Sequence, residues 1–214
     1  MSSDQESLHR TRFEQAIARF DASHAEDPNK ERVDGEEFPK ELLYAQRMSA
    51  MLERFAPDAS ETLQLAVRCQ HICRWKIPRA EYPMTPHGYK QWRTRLMRYH
   101  AELAGEILRA VGYDDAMIGR VQSLVRKEGL KVNPEAQTLE DVIALVFLEI
   151  YLADFVRSHS QYDEGKLIDI LRRIGRKMSR RGREAALNLI TLPQELLPLI
   201  CNAIGKDATP TRAV

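Results

Sequence analysis

Long apolar runs are missing from this sequence. The most apolar stretch covers residues 142–152 and is interrupted by Glu149, whereas a helix that spans a membrane needs about 20 mostly apolar residues. The N-terminal segment MSSDQESLHRTRF contains acidic residues and no apolar core, which is unlike a secretory signal peptide. The sequence therefore predicts a soluble protein that is not associated with a membrane and is located in the cytoplasm.

A surplus of one charge sign and a cysteine framework are absent as well. The chain has 32 Lys and Arg against 31 Asp and Glu, a net charge of +1, so any electrostatic binding has to come from local clusters. Its three cysteines, Cys69, Cys73 and Cys201, lack disulfide spacing and predict reduced thiols. On a predicted helix Cys69 and Cys73 share one face and His71 points away, so we interpret both thiols as packing residues.

The familiar catalytic motifs are also missing. The chain contains no glycine-rich phosphate loop, no HExxH zinc helix and no G-x-S-x-G elbow, which mark P-loop NTPases, zinc proteases and α/β-hydrolases. Those function classes are therefore excluded, and any chemistry has to be inferred from individual side chains.

Helix-forming patterns cover most of the chain, and strand patterns are nearly absent. Apolar residues recur at helical spacing, Ser60 and Ser179 are placed as N-caps, and Pro39 is placed as a first-turn proline. We predict an all-α, single-domain helical bundle of about eight or nine helices over residues 1–205, with a disordered tail at 206–214. The expected helices lie at about residues 5–20, 39–55, 60–75, 89–111, 114–127, 138–157, 164–177, 180–189 and 194–204, with loops at 24–37 and 76–88.

Two segments carry a family resemblance. YAQRMSAMLERFAPDASETLQLAVRCQHICRW and RYHAELAGEILRAVGYDDAMIGRVQSLVRKE resemble the HD superfamily of phosphohydrolases in spacing and apolar pattern, across roughly residues 40–157. That superfamily has a metal-binding His at the start of one helix, a His-Asp pair at the end of the next, and a further His opening a third. The segment LEDVIALVFLEIYLADF, with the segment around His71, is also identified as part of the family called domain of unknown function 4202, which implies no activity.

The HD resemblance implies a partial set of metal ligands. The ligands that remain are His71, His100 and Glu149, which the resemblance makes both catalytic residues and ligands of a divalent metal cofactor. At the other family positions, the first His falls near Tyr44, the Asp of the His-Asp pair falls on Ile72, and later histidines fall near Arg126 and Lys127.

The same residues can be interpreted without the family. Glu149 lies within an apolar run that predicts a central, buried helix, and a buried carboxylate needs a cation, a hydrogen-bond donor or a proton. Its expected partner is His71, His100 or an arginine. Both a structural acid–base pair and a working site fit this pattern.

Clustered cations predict binding of anions. We select Arg74, Arg79, Arg93, Lys127 and Lys177 as anion-binding residues, since clustered cations can hold a phosphate directly. Of these, Lys127 falls near a position where the family has a metal ligand. A second basic run covers residues 172–183, where Ser179 could cap a helix whose N-terminus attracts anions. A solvated helix face is the commoner explanation of such a run.

Three functions follow as hypotheses. The first is hydrolysis of a phosphoester in a basic interhelical pocket that binds a phosphorylated small molecule or nucleotide. The second is a non-catalytic module that binds the same ligand. The third is binding of nucleic acid or an acidic partner through Arg172–Arg183.

Overall fold

The computed structural model describes the backbone of residues 3–205 and the side chains of residues 11–205. The tail predicted at 206–214 lies outside the described residues. Within them the chain forms ten α-helices and a two-stranded sheet, which confirms the all-α prediction. The helices are α1 Ser3–Ala25, α2 Lys40–Phe55, α3 Glu61–Cys69, α4 Pro86–Ala110, α5 Asp115–Val125, α6 Pro134–Val146, α7 Leu152–Ser158, α8 Glu164–Lys177, α9 Arg180–Asn188 and α10 Leu197–Ile204.

The chain divides into two compact units. Unit 1 contains the chain up to Ala50 together with Asp58–Glu128, and unit 2 contains Met51–Pro57 together with the chain from Gly129. Helix α2 continues from one unit into the other. The expectation of a single domain over residues 1–205 stays a prediction. No helix among the described residues has the length and apolar character needed to cross a membrane.

Unit 1 is built from α1, the first part of α2, α3, α4 and α5. Helix α5 packs against α3 and α4, and α1 packs against the same two helices. Phe20, Leu65, Leu108 and Leu124 are buried at the centre of these contacts. Burial of side chains of this size contributes about 1.5–3 kcal/mol each, which fixes the helices around the core.

A β-hairpin lies where the sequence predicted only a loop. Strand β1, Lys30–Val33, pairs antiparallel with β2, Glu36–Pro39, and Lys30 is opposite Pro39. The tip, Asp34 and Gly35, has φ values of 51° and 88°. Asp-Gly is favoured in such hairpin turns because the turn requires positive φ. Pro39 consequently ends a strand and does not open α2.

The helix predicted at 60–75 breaks earlier than expected. Helix α3 ends at Cys69, a turn follows, and Cys73 adopts a φ of 51° before a 3-10 turn at Arg74–Lys76. A positive φ is rare for residues other than glycine and stops helix propagation. The predicted shared face of Cys69 and Cys73 is therefore wrong, although both thiols are buried as predicted.

Unit 2 contains the helices α6 to α10 and a π-helical turn. The helix predicted at 138–157 starts earlier, at Pro134 after an Asn133 cap, and is interrupted by the π-helical turn Phe147–Tyr151. Thr138, where this helix was expected to begin, lies inside α6, and its hydroxyl donates to Pro134 O.

Asp141 stabilises the N-terminus of α9. Its carboxylate oxygens accept from Ser179 N at 2.7 Å and Ser179 Oγ at 2.6 Å. Ser179 Oγ in turn accepts from Gly182 N at 2.9 Å, which confirms Ser179 as the predicted N-cap.

Candidate functional site

A histidine, a glutamate and an arginine lie close together in unit 1. Glu41 is in the first turn of α2, while His71 and Arg74 belong to the turn after α3. His71 Nδ1 is 3.4 Å from Glu41 Oε2, and Arg74 Nη1 donates a hydrogen bond of 3.1 Å to His71 Nε2. Arg74 Nε is 3.9 Å from Glu41 Oε1. The break after Cys69 therefore directs His71 toward Glu41, which sequence analysis did not select.

The arginine determines which nitrogen of His71 carries the proton. A guanidinium only donates, so His71 Nε2 must present its lone pair. The neutral imidazole then carries its proton on Nδ1, which faces Glu41. Burial and the nearby cations, of which Arg74 has the largest effect, hold the pKa of His71 well below its usual range. His71 is consequently a neutral donor beside the glutamate.

Glu41 is held in place by its backbone. Its N–H donates to Asp27 Oδ2 at 3.0 Å, which anchors the first turn of α2. The residue is only 9% exposed. Burial raises the pKa of Glu41 above its ordinary value, and the opposing charge of Arg74 reduces that rise. A carboxyl group with a raised pKa is better suited to accept a proton near neutral pH.

Two further rings complete the surroundings of His71. Tyr44 stacks on His71 with ring centroids 4.6 Å apart and planes 13° apart. The His100 ring lies 6.0 Å from the His71 ring. His100 Nδ1 donates a 2.7 Å hydrogen bond to Ile72 O, which helps to fix the turn that carries His71. Burial lowers the pKa of His100 to about 3, so its ring is neutral.

An open cleft of about 460 Å³ adjoins Glu41 and Arg74. One side is formed by Asn29 and Lys30 at the open end of the hairpin and by the start of α2. The other side is formed by the segment after α3 and by α4. The side chains that line it combine four cations, one carboxylate, one amide and two indoles. They are Lys30, Lys40, Arg74, Arg79, Glu41, Asn29, Trp75 and Trp92, together with Ile77 and Pro78.

Arginines and aromatic rings alternate beside this cleft. The Arg74 guanidinium lies 4.9 Å from the centre of the Trp92 ring. The Arg79 guanidinium lies 5.9 Å from both Trp92 and Tyr89. Trp92 is buried, and its indole N–H donates to Ile77 O at 2.9 Å. These contacts hold the two arginines in defined positions, since cation–π attraction adds about 0.5–2 kcal/mol.

Four of the five predicted anion-binding residues belong to unit 1. Arg74 and Arg79 line the cleft. Arg93 lies beside the cleft residues, with its guanidinium 5.9 Å from the Tyr89 ring. Lys127 follows α5 with a φ of 58° and contributes to the low pKa of His71. The fifth residue, Lys177, is in unit 2.

The environment of Lys177 is different from that of the other four. Its Nζ lies 3.7 Å from Glu140 Oε1, and Glu140 is buried. A buried carboxylate needs a cation, and Lys177 supplies that charge. Lys177 therefore has a structural partner within unit 2.

Glu149 also belongs to unit 2, where it forms a network with an arginine. Arg54 donates to both carboxylate oxygens of Glu149, at 2.8 and 3.2 Å, and Thr191 N donates at 2.9 Å. The hydrogen bonds with Glu149 raise the pKa of Arg54. Arg54 Nη2 also donates to Leu189 O at 2.8 Å. Of the partners considered for Glu149, the structure shows the arginine, in a pair that holds the segment after α9.

The predicted metal ligands do not form an ion-binding group. Among residues 11–205, no three His, Cys, Asp or Glu side chains are placed to hold a metal. Both ring nitrogens of His71 face protein groups, and the carboxylate of Glu149 is bound by Arg54. A guanidinium 3.1 Å from His71 also repels a divalent cation. These residues do not fit a metal.

Most cations of the basic run at 172–183 have partners within unit 2. Arg172 lies 3.7 Å from Asp169, and Arg180 lies 2.8 Å from Glu184. Arg183 donates to Met178 O, and Arg181 donates to Phe55 O. Part of the run is therefore structural, while the solvated face and nucleic-acid binding both stay predictions.

Sequence reasoning missed the cleft residues contributed by the hairpin and by α2. Lys30 was not selected because residues 24–37 were interpreted as a loop without a defined position. Lys40 and Glu41 were expected only as part of the helix at 39–55, with nothing in the sequence to place them at a site. The Asp34-Gly35 pair was the available signal, because Asp-Gly between short β-compatible segments indicates a hairpin. A hairpin at that point places its two ends, and therefore Lys30 and Lys40, side by side.

Comparison with known proteins identifies a family. No curated protein and no solved structure matches the chain, so the HD resemblance has no structural counterpart. One family model, described as Domain of unknown function (DUF4202), matches residues 14–200. Because that match covers both units almost completely, the chain belongs to the DUF4202 family.

Proposed function

We propose that unit 1 binds a phosphorylated small molecule in its cleft and hydrolyses the phosphoester. The observation that carries this proposal is the cleft lining, in which four cations surround one carboxylate. Phosphate is recognised by guanidinium and ammonium groups through charge-assisted hydrogen bonds. Lys30 and Lys40 approach the ligand from the hairpin side, and Arg74 and Arg79 approach it from the other.

Glu41 is the proton acceptor in this proposal. Its carboxylate lines the cleft, and its raised pKa favours taking a proton from a water molecule. That water attacks phosphorus, the bond from phosphorus to the ester oxygen breaks, and the leaving oxygen takes a proton from solvent. The neutral His71 faces Glu41, with Nδ1 3.4 Å from Oε2, and contributes an N–H on that side of the carboxylate. Arg74 and Arg79 stabilise the charge on the phosphoryl oxygens.

Hydrolysis of a phosphoester is the reaction that the HD resemblance implies. The positions that it assigns to the first family histidine, to the His of the His-Asp pair and to the following histidine are Tyr44, His71 and His100. The His71 ring centroid lies 4.6 Å from that of Tyr44 and 6.0 Å from that of His100. The chemistry here differs from that of the superfamily because it uses protein side chains alone.

Binding and turnover are tested separately. Titration calorimetry with ribose 5-phosphate and with AMP measures affinity, and release of inorganic phosphate from the same compounds measures hydrolysis. Lys40→Gln and Arg79→Gln each remove one cation from the cleft and are expected to weaken binding about tenfold. Arg95→Gln is the matched control because Arg95 is exposed on α4 outside the cleft lining.

The outcomes separate the alternatives. Loss of phosphate release in Glu41→Gln with retained binding supports Glu41 as the base. Binding without any phosphate release from the wild-type protein rejects hydrolysis and leaves the non-catalytic binding module. Absence of binding, or equal effects of Lys40→Gln and Arg95→Gln, overturns the proposed site.

A further inference from the structure

The two tryptophans that line the cleft differ in burial and in the contacts of their rings. Trp92 is buried, Arg74 and Arg79 lie over its ring, and its N–H donates to Ile77 O. Trp75 is half-buried in the 3-10 turn Arg74–Lys76. Among the described side chains, no ring stacks on the Trp75 indole, no cation lies over it and no acceptor binds its N–H.

Trp75 is a partly exposed indole without a partner in the wall of a cationic cleft. Such an indole favours an aromatic ligand. Tryptophan has a large apolar ring whose faces stack on other flat rings, and its N–H binds an acceptor when one is present. Nucleic-acid bases have two flat faces and several acceptor atoms, and they stack on aromatic side chains with little dependence on sequence. A simple sugar phosphate would use the cations and leave Trp75 unused.

We infer that the ligand of this cleft is a nucleotide whose base stacks on Trp75, an inference that rests on the proposed function. The phosphate binds Lys30, Lys40 and Arg79, and the base lies on the indole. The cleft volume of about 460 Å³ is in the usual range for a small-molecule site and accommodates both parts. The cation–π contacts of Arg74 and Arg79 with Trp92 keep that second indole out of the recognition of the base.

AMP and ribose 5-phosphate provide a matched pair of probes because they differ only in the adenine base. In the wild-type protein AMP is expected to bind about tenfold more tightly than ribose 5-phosphate. Trp75→Leu removes the stacking surface, so the affinity for AMP falls to that for ribose 5-phosphate. The affinity for ribose 5-phosphate stays unchanged, which also shows that the cleft is folded.

Trp75→Phe retains a flat ring and serves as the conservative variant. It is expected to preserve most of the preference for AMP. Binding of AMP should also quench tryptophan fluorescence in the wild-type protein and not in Trp75→Phe, because the remaining Trp92 is buried and already covered.

The outcomes distinguish recognition of a base from recognition of a phosphate. Equal affinity of the wild-type protein for AMP and ribose 5-phosphate overturns the nucleotide inference and leaves phosphate binding intact. Equal weakening of both ligands in Trp75→Leu shows that Trp75 shapes the cleft and overturns stacking. Failure of both ligands to bind the wild-type protein rejects the proposed function itself.

Discussion

His100 illustrates how a single buried side chain affects both the site and the stability of the protein. It is 2% exposed, and its Nδ1–H binds the carbonyl of Ile72. That carbonyl belongs to the turn that directs His71 toward Glu41. A ring that stays neutral to about pH 3 keeps this bond unchanged while exposed histidines become protonated.

The neutral state of His100 predicts a stability that falls in acid. An unfolded histidine titrates near pH 6.5, whereas the folded ring has a pKa of about 3. Below pH 6.5 the unfolded chain gains a proton that the folded chain does not, so the free energy of unfolding decreases as pH falls. At pH 5.5 this contribution amounts to about 1.4 kcal/mol, and above pH 7.5 it is absent.

His100→Asn tests this prediction. Asparagine keeps an N–H donor toward Ile72 O and removes the titration. The drop in unfolding free energy between pH 7.5 and 5.5, from urea denaturation, should be about 1.4 kcal/mol smaller than in the wild-type protein. His87→Asn is the control because His87 is exposed, and it should keep the wild-type drop. An unchanged drop in His100→Asn would contradict the assignment.

Only some of the residues of the candidate site could be predicted from the sequence. Arg74 and Arg79 could be selected because cations near a histidine favour anion binding, and both line the cleft. Glu41, which lies beside Arg74, and Lys40, which lines the same cleft, were not selected, since the approach of α2 to the segment after α3 depends on tertiary packing. Glu149 was recognised as a residue that needs a partner, but its partner Arg54 is 95 positions away in the chain.

Among the helices, those with local start signals were predicted well. Helix α8 has the predicted bounds, and Ser60 and Ser179 are N-caps as predicted. The break after Cys69 has no glycine or proline to indicate it, because it depends on the positive φ of Cys73 and on the bond from His100. The π-helical turn at Phe147–Tyr151 likewise has no local signal.

Helix α9 provides a prediction at this scale through its close packing on α6. A Cβ on Gly182 would lie 2.5 Å from Asp141 Oδ1, which already binds Ser179 N. Gly182→Ala is therefore expected to lower the free energy of unfolding by about 2–3 kcal/mol, by overpacking and by loss of the bonds to Ser179. Circular dichroism during urea denaturation measures the change.

Gly119 is the matched helical glycine. It lies within α5, and no atom is found within 4 Å of where its Cβ would be. Gly119→Ala should stabilise the protein by about 0.5–1 kcal/mol because alanine favours a helix. If both substitutions shifted stability in the same direction, the proposed clash with Asp141 would be wrong.

For the molecule as a whole, the division into two units leads to a prediction about cooperativity. Both tryptophans, Trp75 and Trp92, belong to unit 1, so fluorescence reports on that unit while circular dichroism reports on all helices. Ile200 is fully buried in unit 2, where α10 packs on α8. Ile200→Ala should destabilise unit 2 by about 2–5 kcal/mol.

The two probes are expected to separate in this variant. The circular dichroism transition should begin at lower urea concentration, and the fluorescence transition should stay near its wild-type midpoint. Leu65→Ala, buried in unit 1, is the reciprocal control and should shift the fluorescence transition. Equal shifts of both signals in Ile200→Ala would show that the units unfold together, as the single domain predicted over residues 1–205 requires.

The hairpin of unit 1 offers a position for attaching a reporter. Lys30 and Asn29 stand at the cleft, while the tip at Asp34 and Gly35 is exposed, with no atom within 4 Å of a Cβ placed on Gly35. At about 3.3 Å per strand residue, the tip lies roughly 13 Å from the cleft end of the hairpin at Lys30. A short peptide tag or dye-binding sequence inserted there would leave the mouth of the cleft clear and still lie near enough to report on binding of the proposed ligand.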